Sequence, residues 1–256
     1  MPLILLKIAI GFTVGTLVGL TGMGGGALLL PLLIYVLHVP ALTAIGSDAA
    51  INFISKIGGA AVHSQQRTVN WRLAAYLAAG SIPGSFAGVA MIAHLRRVHG
   101  IHVNSVLQEV LGFVLLGISM LLFLQRPSSG RDVGASPQTG PLVLASLVGF
   151  VGGFLVGLTS IGSGTVIMLL LMLIYRFSPR ILVGTDIAHA VILTGVTALL
   201  QYRLGIVDLA LVASVLVGSI PGVLLGARLT PRVPVLLLKR ILCAALFLFG
   251  ARMVLV

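Results

Sequence analysis

Charge is scarce in this chain, and negative charge most of all: 5 Asp or Glu stand among 256 residues, and charged residues of both signs make up only 8%. Soluble globular domains carry roughly a quarter charged residues, so a water-facing surface around a core of this size is excluded. Cysteine is almost missing. Cys243 is the single one, which rules out an intramolecular disulfide and leaves the residue as a small apolar packing group. Aromatics contribute 6%, and no G-x-G-x-x-G or G-x-x-x-x-G-K pattern marks a dinucleotide or phosphate loop. A nucleotide-driven pump would need another subunit, and no cofactor is expected.

What is present is apolar. Hydrophobic residues account for 58% of the chain and mean hydropathy is +1.18, which makes lipid the solvent. In lipid every backbone polar group must be paired within its own segment or a closed barrel, and the long apolar runs fit helices rather than alternating strands. The fold expected is therefore an all-α polytopic membrane protein of the cell (inner) membrane. The 16 Lys and Arg give a net charge of +11 and fall mainly in the gaps between apolar runs, where they act as topology determinants and headgroup contacts. Nucleic acid is not an expected partner. The first run shows no A-x-A-like cleavage site and reads as an uncleaved helix.

With about 20 residues per crossing as the ruler, the apolar runs are 3–20, 27–37, 41–62, 71–95 and 104–124, then 141–158, 165–175, 181–202, 206–229 and 233–256. A polar stretch, 125–140, separates the two sets of five, so the expected organisation is a first transmembrane repeat (1–124), a linker (125–140) and a second repeat (141–256). Self-similarity at a constant offset supports duplication. Residues 11–27 align with 149–165 without a gap and are identical at 10 of 17 positions. At the same offset Gly46-Ser47-Asp48 meets Gly184-Thr185-Asp186, and Gly80-Ser81-Ile82-Pro83-Gly84 meets Gly218-Ser219-Ile220-Pro221-Gly222. Each half has an odd number of crossings however its short segment is counted, which predicts an inverted second half, as in secondary transporters with broken helices near the membrane midplane.

Glycines spaced by four at 11, 15 and 19, at 80, 84 and 88, and at their partners 149, 153, 157, 218, 222 and 226 form small-residue ridges that let backbones approach closely in lipid. The breaks are different. Thr21, Gly22, Gly24, Gly25 and Gly26 in one half, and Thr159, Ser160, Gly162, Ser163 and Gly164 in the other, interrupt the helix. The helix resuming after each would aim unpaired N–H groups and a positive dipole end at the break, a setting for an anion. The alternative is a tight turn between packed helices with no ligand.

Asp48 and Asp186 occupy the same repeat position inside apolar runs. An acid near the centre of a membrane helix costs about 2.5 to 3.5 kcal/mol on insertion scales and usually faces a cavity or a partner. Proton or cation coupling is one reading; capping of the broken helix's own N–H groups is the other, and it would place negative charge where the anion should bind. Asn52 and Lys56 follow Asp48 at i+4 and i+8, and His189 follows Asp186 at i+3. Lys56 could attract an anion or instead snorkel or pair with a carboxylate. His189 could relay protons, since imidazole ordinarily titrates near neutrality, or serve as a packing residue. His94, His99 and His102 share a loop with Arg96 and Arg97, but no neighbouring Cys, Asp or Glu completes a metal site.

Duplicated halves with an early glycine-rich break followed by a Gly-Thr-Ser-like motif resemble the sulfite exporter TauE/SafE family of membrane permeases. The resemblance covers nearly the whole chain outside the linker. It implies transport of sulfite, sulfonates or other organosulfur anions; together with the residues above, the expected function is a secondary carrier for a small sulfur-containing or carboxylate anion working by alternating access, with Thr21, Ser47, Thr159, Ser163 and Thr185 as hydroxyl donors and Asp48 and Asp186 as candidate proton sites. Asp in the third motif position departs from the family's usual Ser. Two other mechanisms use the same residues: an anion channel, and an intramembrane hydrolase with Ser163 as nucleophile and His189 as base. The repeat argues against the hydrolase, because Gly25 and Ile51 stand at the matching positions.

Overall fold

The computed structural model describes residues 2–21, 25–124, 141–175, 177–229 and 235–255. The linker 125–140 and two residues of the first break, Gly22 and Gly24, lie outside the described residues, as does the side chain of Thr21. The described chain is helical throughout: α1 (Pro2–Thr21), α2 (Gly26–Tyr35), α3 (Ala41–Gln65), α4 (Trp71–His99), a 3-10 turn at 100–102, α5 (Val103–Leu124), α6 (Leu142–Thr159), α7 (Val166–Ile174), α8 (Pro179–Arg203), α9 (Leu209–Leu229) and α10 (Val235–Leu255). Five stretches are long and apolar enough to cross a bilayer: 3–20, 71–124 (which holds both α4 and α5), 142–159, 180–203 and 209–226. α2 and α7 have 10 and 9 residues, about 15 Å or less at 1.5 Å per residue, half of a hydrocarbon core.

The helices obey one offset. α6 ends 138 residues after α1 ends, α8 begins and ends 138 residues after α3, and α9 begins 138 residues after α4. Their packing exchanges partners: α1 lies along α9, α6 lies along α4, α3 packs on α8 and α5 on α10. Every one of these pairs joins a helix before the linker to one after it. Register gives direction. Gly59 faces Ile187 while Gly195 faces Phe53, so α3 and α8 run antiparallel. The Ser119 hydroxyl donates to the Cys243 carbonyl (3.0 Å) while Gly112 abuts Gly250, so α5 and α10 are antiparallel too.

The ridge glycines lie where the exchanged helices touch. Gly80, Gly84 and Gly88 of α4 rest on the backbone of Ser146, Phe150 and Phe154 of α6, and Gly218, Gly222 and Gly226 of α9 rest on Ile8, Phe12 and Thr16 of α1. The reciprocal glycines of α1 and α6 meet Val215, Ser219, Leu77, Ser81 and Ser85. With lipid tails as apolar as leucine, close backbone approach rather than hydrophobic burial holds such pairs. The outer surface is correspondingly greasy: Phe113, Phe123, Leu173 and Leu248 are exposed, while Leu107, Leu111, Leu115 and Leu122 of α5 are buried on its opposite face.

A Cβ at position 153 would stand 2.6 Å from the Ser81 Cα, whereas one at 117 would meet nothing within 4 Å. Gly153→Ala is therefore expected to destabilise the protein by about 1–3 kcal/mol through forced separation of α4 and α6, and Gly117→Ala to hold or raise stability, since alanine is the better helix former. Thermal unfolding in detergent checks both; equal melting temperatures would contradict the ridge packing.

Candidate functional site

The Gly-Ser-Asp and Gly-Thr-Asp triplets form a device near the start of α3 and α8. Gly46 admits the backbone of the loop before α9, where a Cβ would stand 2.5 Å from the Ile206 carbonyl oxygen, and Gly184 admits the loop before α4 at 2.6 Å from the Thr68 carbonyl oxygen. The next residue ties that loop down. The Asp208 backbone N–H donates to the Ser47 hydroxyl (3.0 Å), and the Asn70 backbone N–H donates to the Thr185 hydroxyl (2.9 Å). Asn70 and Asp208 in turn cap their helices, accepting from Leu73 N (3.0 Å) and from Ala210 N and Leu211 N (2.9 and 3.0 Å). Ser47 and Thr185, expected as donors to an anion, thus accept hydrogen bonds from helix starts, and neither lines the cavity described below.

The third residue of the triplet turns inward. Asp48 is fully buried. Its Oδ2 accepts from Asn52 Nδ2 (2.8 Å) and from the Ser160 hydroxyl (2.7 Å), which joins α3 to the break after α6. Ser160 caps α6 with a left-handed backbone, φ 58°, a conformation sparsely used outside glycine and asparagine. Beside the same carboxylate lies the first residue of α2: a Cβ on Gly26 would stand 2.5 Å from Asp48 Oδ2 and 3.0 Å from the Ser160 carbonyl oxygen. The carboxylate thus lies beside the positive end of α2, where negative charge is favoured, although the N-terminus of α2 receives no side-chain capping hydrogen bond.

Two turns further along α3, Lys56 reaches the same break. Its Nζ donates to the Ser163 carbonyl (2.6 Å) and to the Ser163 hydroxyl (2.9 Å), and it acts electrostatically on both Asp48 and Asp186. Asp186 is buried, and Oδ1 of each aspartate has no hydrogen-bond partner among the described residues. In the break itself Thr159 donates to Leu155 O (2.7 Å) and accepts from Ile161 N (3.2 Å). Gly162 takes φ 119°, a backbone open to glycine, and Ser163 and Gly164 are buried beside it.

His189 is engaged elsewhere. Its Nε2 pairs with the Ser81 hydroxyl at 2.8 Å, while the Ser163 hydroxyl belongs to Lys56, so the serine–histidine dyad needed by a hydrolase is not formed. The sequence brought His189 forward as a neighbour of Asp186; its partner on α4 is 108 residues away and carries no local signal.

A cavity of about 300 Å³ opens between α1, α3, α8 and α9. Asn52, Ser55, Lys56, His63 and Ser219 supply its polar wall, and Val14, Val18, Leu29, Ile187, Val215 and Val223 supply most of the apolar one. Among the described residues no acid lines it. Gly25 borders it, and Gly26 lies just behind. Ser55, His63 and Ser219 escaped the sequence reading. Ser55 and Ser219 approach each other at 3.3 Å, and a clue existed, since Ser219 belongs to the repeated Gly-Ser-Ile-Pro-Gly motif.

The comparisons with known proteins agree with this architecture. Residues 7–253 match the family model described as Sulfite exporter TauE/SafE. Among relatives, the chain is similar to the "Probable membrane transporter protein YjnA" of Bacillus subtilis (strain 168), 39% identical with 96% of this chain and 98% of that protein covered. It is also similar to the "Probable membrane transporter protein YdhB" of the same organism, at 26% identity with 96% and 97% covered. A third relative is the "Probable membrane transporter protein MJ0441" of Methanocaldococcus jannaschii, at 24% identity with 98% and 95% covered. No solved structure matches the chain. A family model spanning nearly the whole chain and a relative of equal length place this helical, lipid-facing protein: it belongs to the sulfite exporter TauE/SafE family and is a multi-pass membrane transporter, not an enzyme.

Proposed function

We propose that the chain is a secondary carrier for a small sulfur-containing anion such as sulfite or a sulfonate, built as two inverted repeats (1–124 and 141–256) around the two helix breaks. Inversion is supported by the antiparallel course of helices at matching offsets, α3 with α8 and α5 with α10. The observation that carries the anion reading is Lys56: a cation inside an apolar fold, facing a cavity whose described lining contains no acid. Two of its three N–H donors go to Ser163, which fixes the head and leaves one for a ligand. Thr21, Gly22 and Gly24 complete the site in this reading, beside Gly25, Gly26, Ser160, Gly162 and Gly164.

Charge counting links the anion to a proton. Lys56 with Asp48 and Asp186 both ionised carries one net negative charge, which repels an anion. One proton makes the trio neutral and two make it positive. Asp48 stands at the start of α2, so its protonation also frees the positive helix end. Anion and proton binding then reinforce each other, as linkage requires, and acid on the side of entry drives uptake. His189, hydrogen-bonded to Ser81 one turn beyond Asp186, extends that proton route toward α4.

Two outcomes are expected in proteoliposomes loaded against labelled sulfite, sulfoacetate and thiosulfate. Lys56→Gln removes a charge-assisted hydrogen bond and lowers apparent anion affinity about 10–100-fold. Asp48→Asn combined with Asp186→Asn keeps an acceptor for Ser160 and leaves saturable flux in place, but removes both proton sites, so that flux no longer responds to an imposed pH gradient. Unchanged affinity in the first variant, or an intact gradient response in the second, would remove those roles; absence of flux for all three anions would remove the substrate class.

A further inference from the structure

The same offset that relates the helices relates two crevices, and they are not alike. The open one is the cavity between α1, α3 and α9. Its counterpart lies between α6, α8 and α4, and there three side-chain hydrogen bonds fill the space. Ser81 Oγ meets His189 Nε2 at 2.8 Å, Ser85 Oγ meets Thr197 Oγ1 at 2.7 Å, and Gln201 Nε2 donates to the Gly157 carbonyl at 3.2 Å. All five side chains are fully buried. At the matching positions around the open cavity stand Ser219 with Ile51, Val223 with Gly59, and Gly19 with His63. Isoleucine cannot replace the imidazole, glycine and valine cannot replace the hydroxyl pair, and His63 directs Nδ1 to Thr68 Oγ1 (2.8 Å). Neither Ser81–His189 nor Ser85–Thr197 is reproduced at these positions; the Ser219 hydroxyl instead approaches Ser55 at 3.3 Å.

We propose that Ser81, Ser85, His189, Thr197 and Gln201 form the gate of the closed crevice, and that the transport cycle opens it by parting α8 from α4 and α6 while the α1/α3/α9 cavity closes. This inference rests on the inverted-repeat carrier reading, under which the two crevices face opposite sides of the membrane. Among the described residues, His189 Nδ1 and Gln201 Oε1 are buried with no hydrogen-bond partner. Buried polar atoms left unpaired are costly, and water entering the crevice would satisfy both.

Reporter cysteines in a Cys243→Ser background test this with a membrane-impermeant thiol reagent applied to either face of oriented vesicles. Val18→Cys sits in the open cavity and Val156→Cys at the matching closed position, where valine is fully buried. The expected pattern is reaction of the Val18→Cys protein from one face and slow reaction of the Val156→Cys protein from both. Adding Ser85→Ala with Thr197→Val should raise labelling of the Val156→Cys protein from the opposite face about tenfold, the population shift that follows loss of one hydrogen bond, and lower that of the Val18→Cys protein. The converse variant, Gly59→Thr with Val223→Ser, installs the hydroxyl pair in the open cavity and should protect the Val18→Cys protein, which keeps the test decisive if the first double variant does not fold. Unchanged labelling in both backgrounds, or labelling of both reporters from one face, overturns the gate. Labelling needs no substrate, so reciprocal labelling without anion flux would sink the anion reading alone, and flux without reciprocal labelling would sink the gate alone.

Discussion

A half-buried cation at the wall of an apolar cavity must be answered by other groups, and the arrangement around Lys56 joins the two halves of this protein. Its head is held by Ser163, in a break that follows a helix of the other half. The same break sends Ser160 to Asp48, two turns back on α3. Each contact needs α6 to end where it does, at a residue able to adopt a left-handed backbone, and needs α2 to begin with glycine so that the carboxylate can lie against it. The paired helices α1 with α9 and α4 with α6 then fix the distance between halves through glycine-to-backbone contact. Loss of any ridge glycine would therefore reach the charged centre through rigid helices rather than through local contacts.

The parts legible in the sequence were those with a local or periodic signature. Helix existence followed from apolar runs, the offset from repeated triplets, and the ridges from glycine spacing. The breaks were marked by composition, and the competition between capping and anion binding at Asp48 was stated by charge alone. The roles of Ser47 and Thr185 were not legible, because their partners Asp208 and Asn70 lie 161 and 115 residues away. The cavity's Ser55 and Ser219 were missed for the same reason: α9 reaches α3 only after the halves exchange helices, and no spacing within one helix encodes that exchange.

The proposed duplication accounts for the division of labour within the motif that recurs at the 138-residue offset. Glycine and hydroxyl positions keep equivalent contacts in both halves, because each fastens the loop that starts a long helix and both loops must be fastened at once. The acids keep their burial but differ in company. Asp48 has Asn52 and Ser160, whereas the residue four after Asp186 is Ala190 and the next polar neighbour, His189, faces Ser81. The glycine ridge and loop-fastening positions thus match between the halves, while Ile51, Gly59, His63 and Val223 at the open cavity differ from His189, Thr197, Gln201 and Ser85.

That divergence has an energetic meaning. Two identical halves related by inversion would make the two access states equal in free energy, apart from differences between the two membrane surfaces. Here one crevice has polar pairs that can shut it and the other has isoleucine, glycine and valine at the same places, so the symmetry is broken by side chains rather than by backbone. A ligand shifts such an equilibrium only by its differential affinity for the two states. In the proposed carrier, a resting bias larger than the binding energy of the cargo would prevent turnover, so side-chain differences between the two crevices can set the direction of that bias only within this limit.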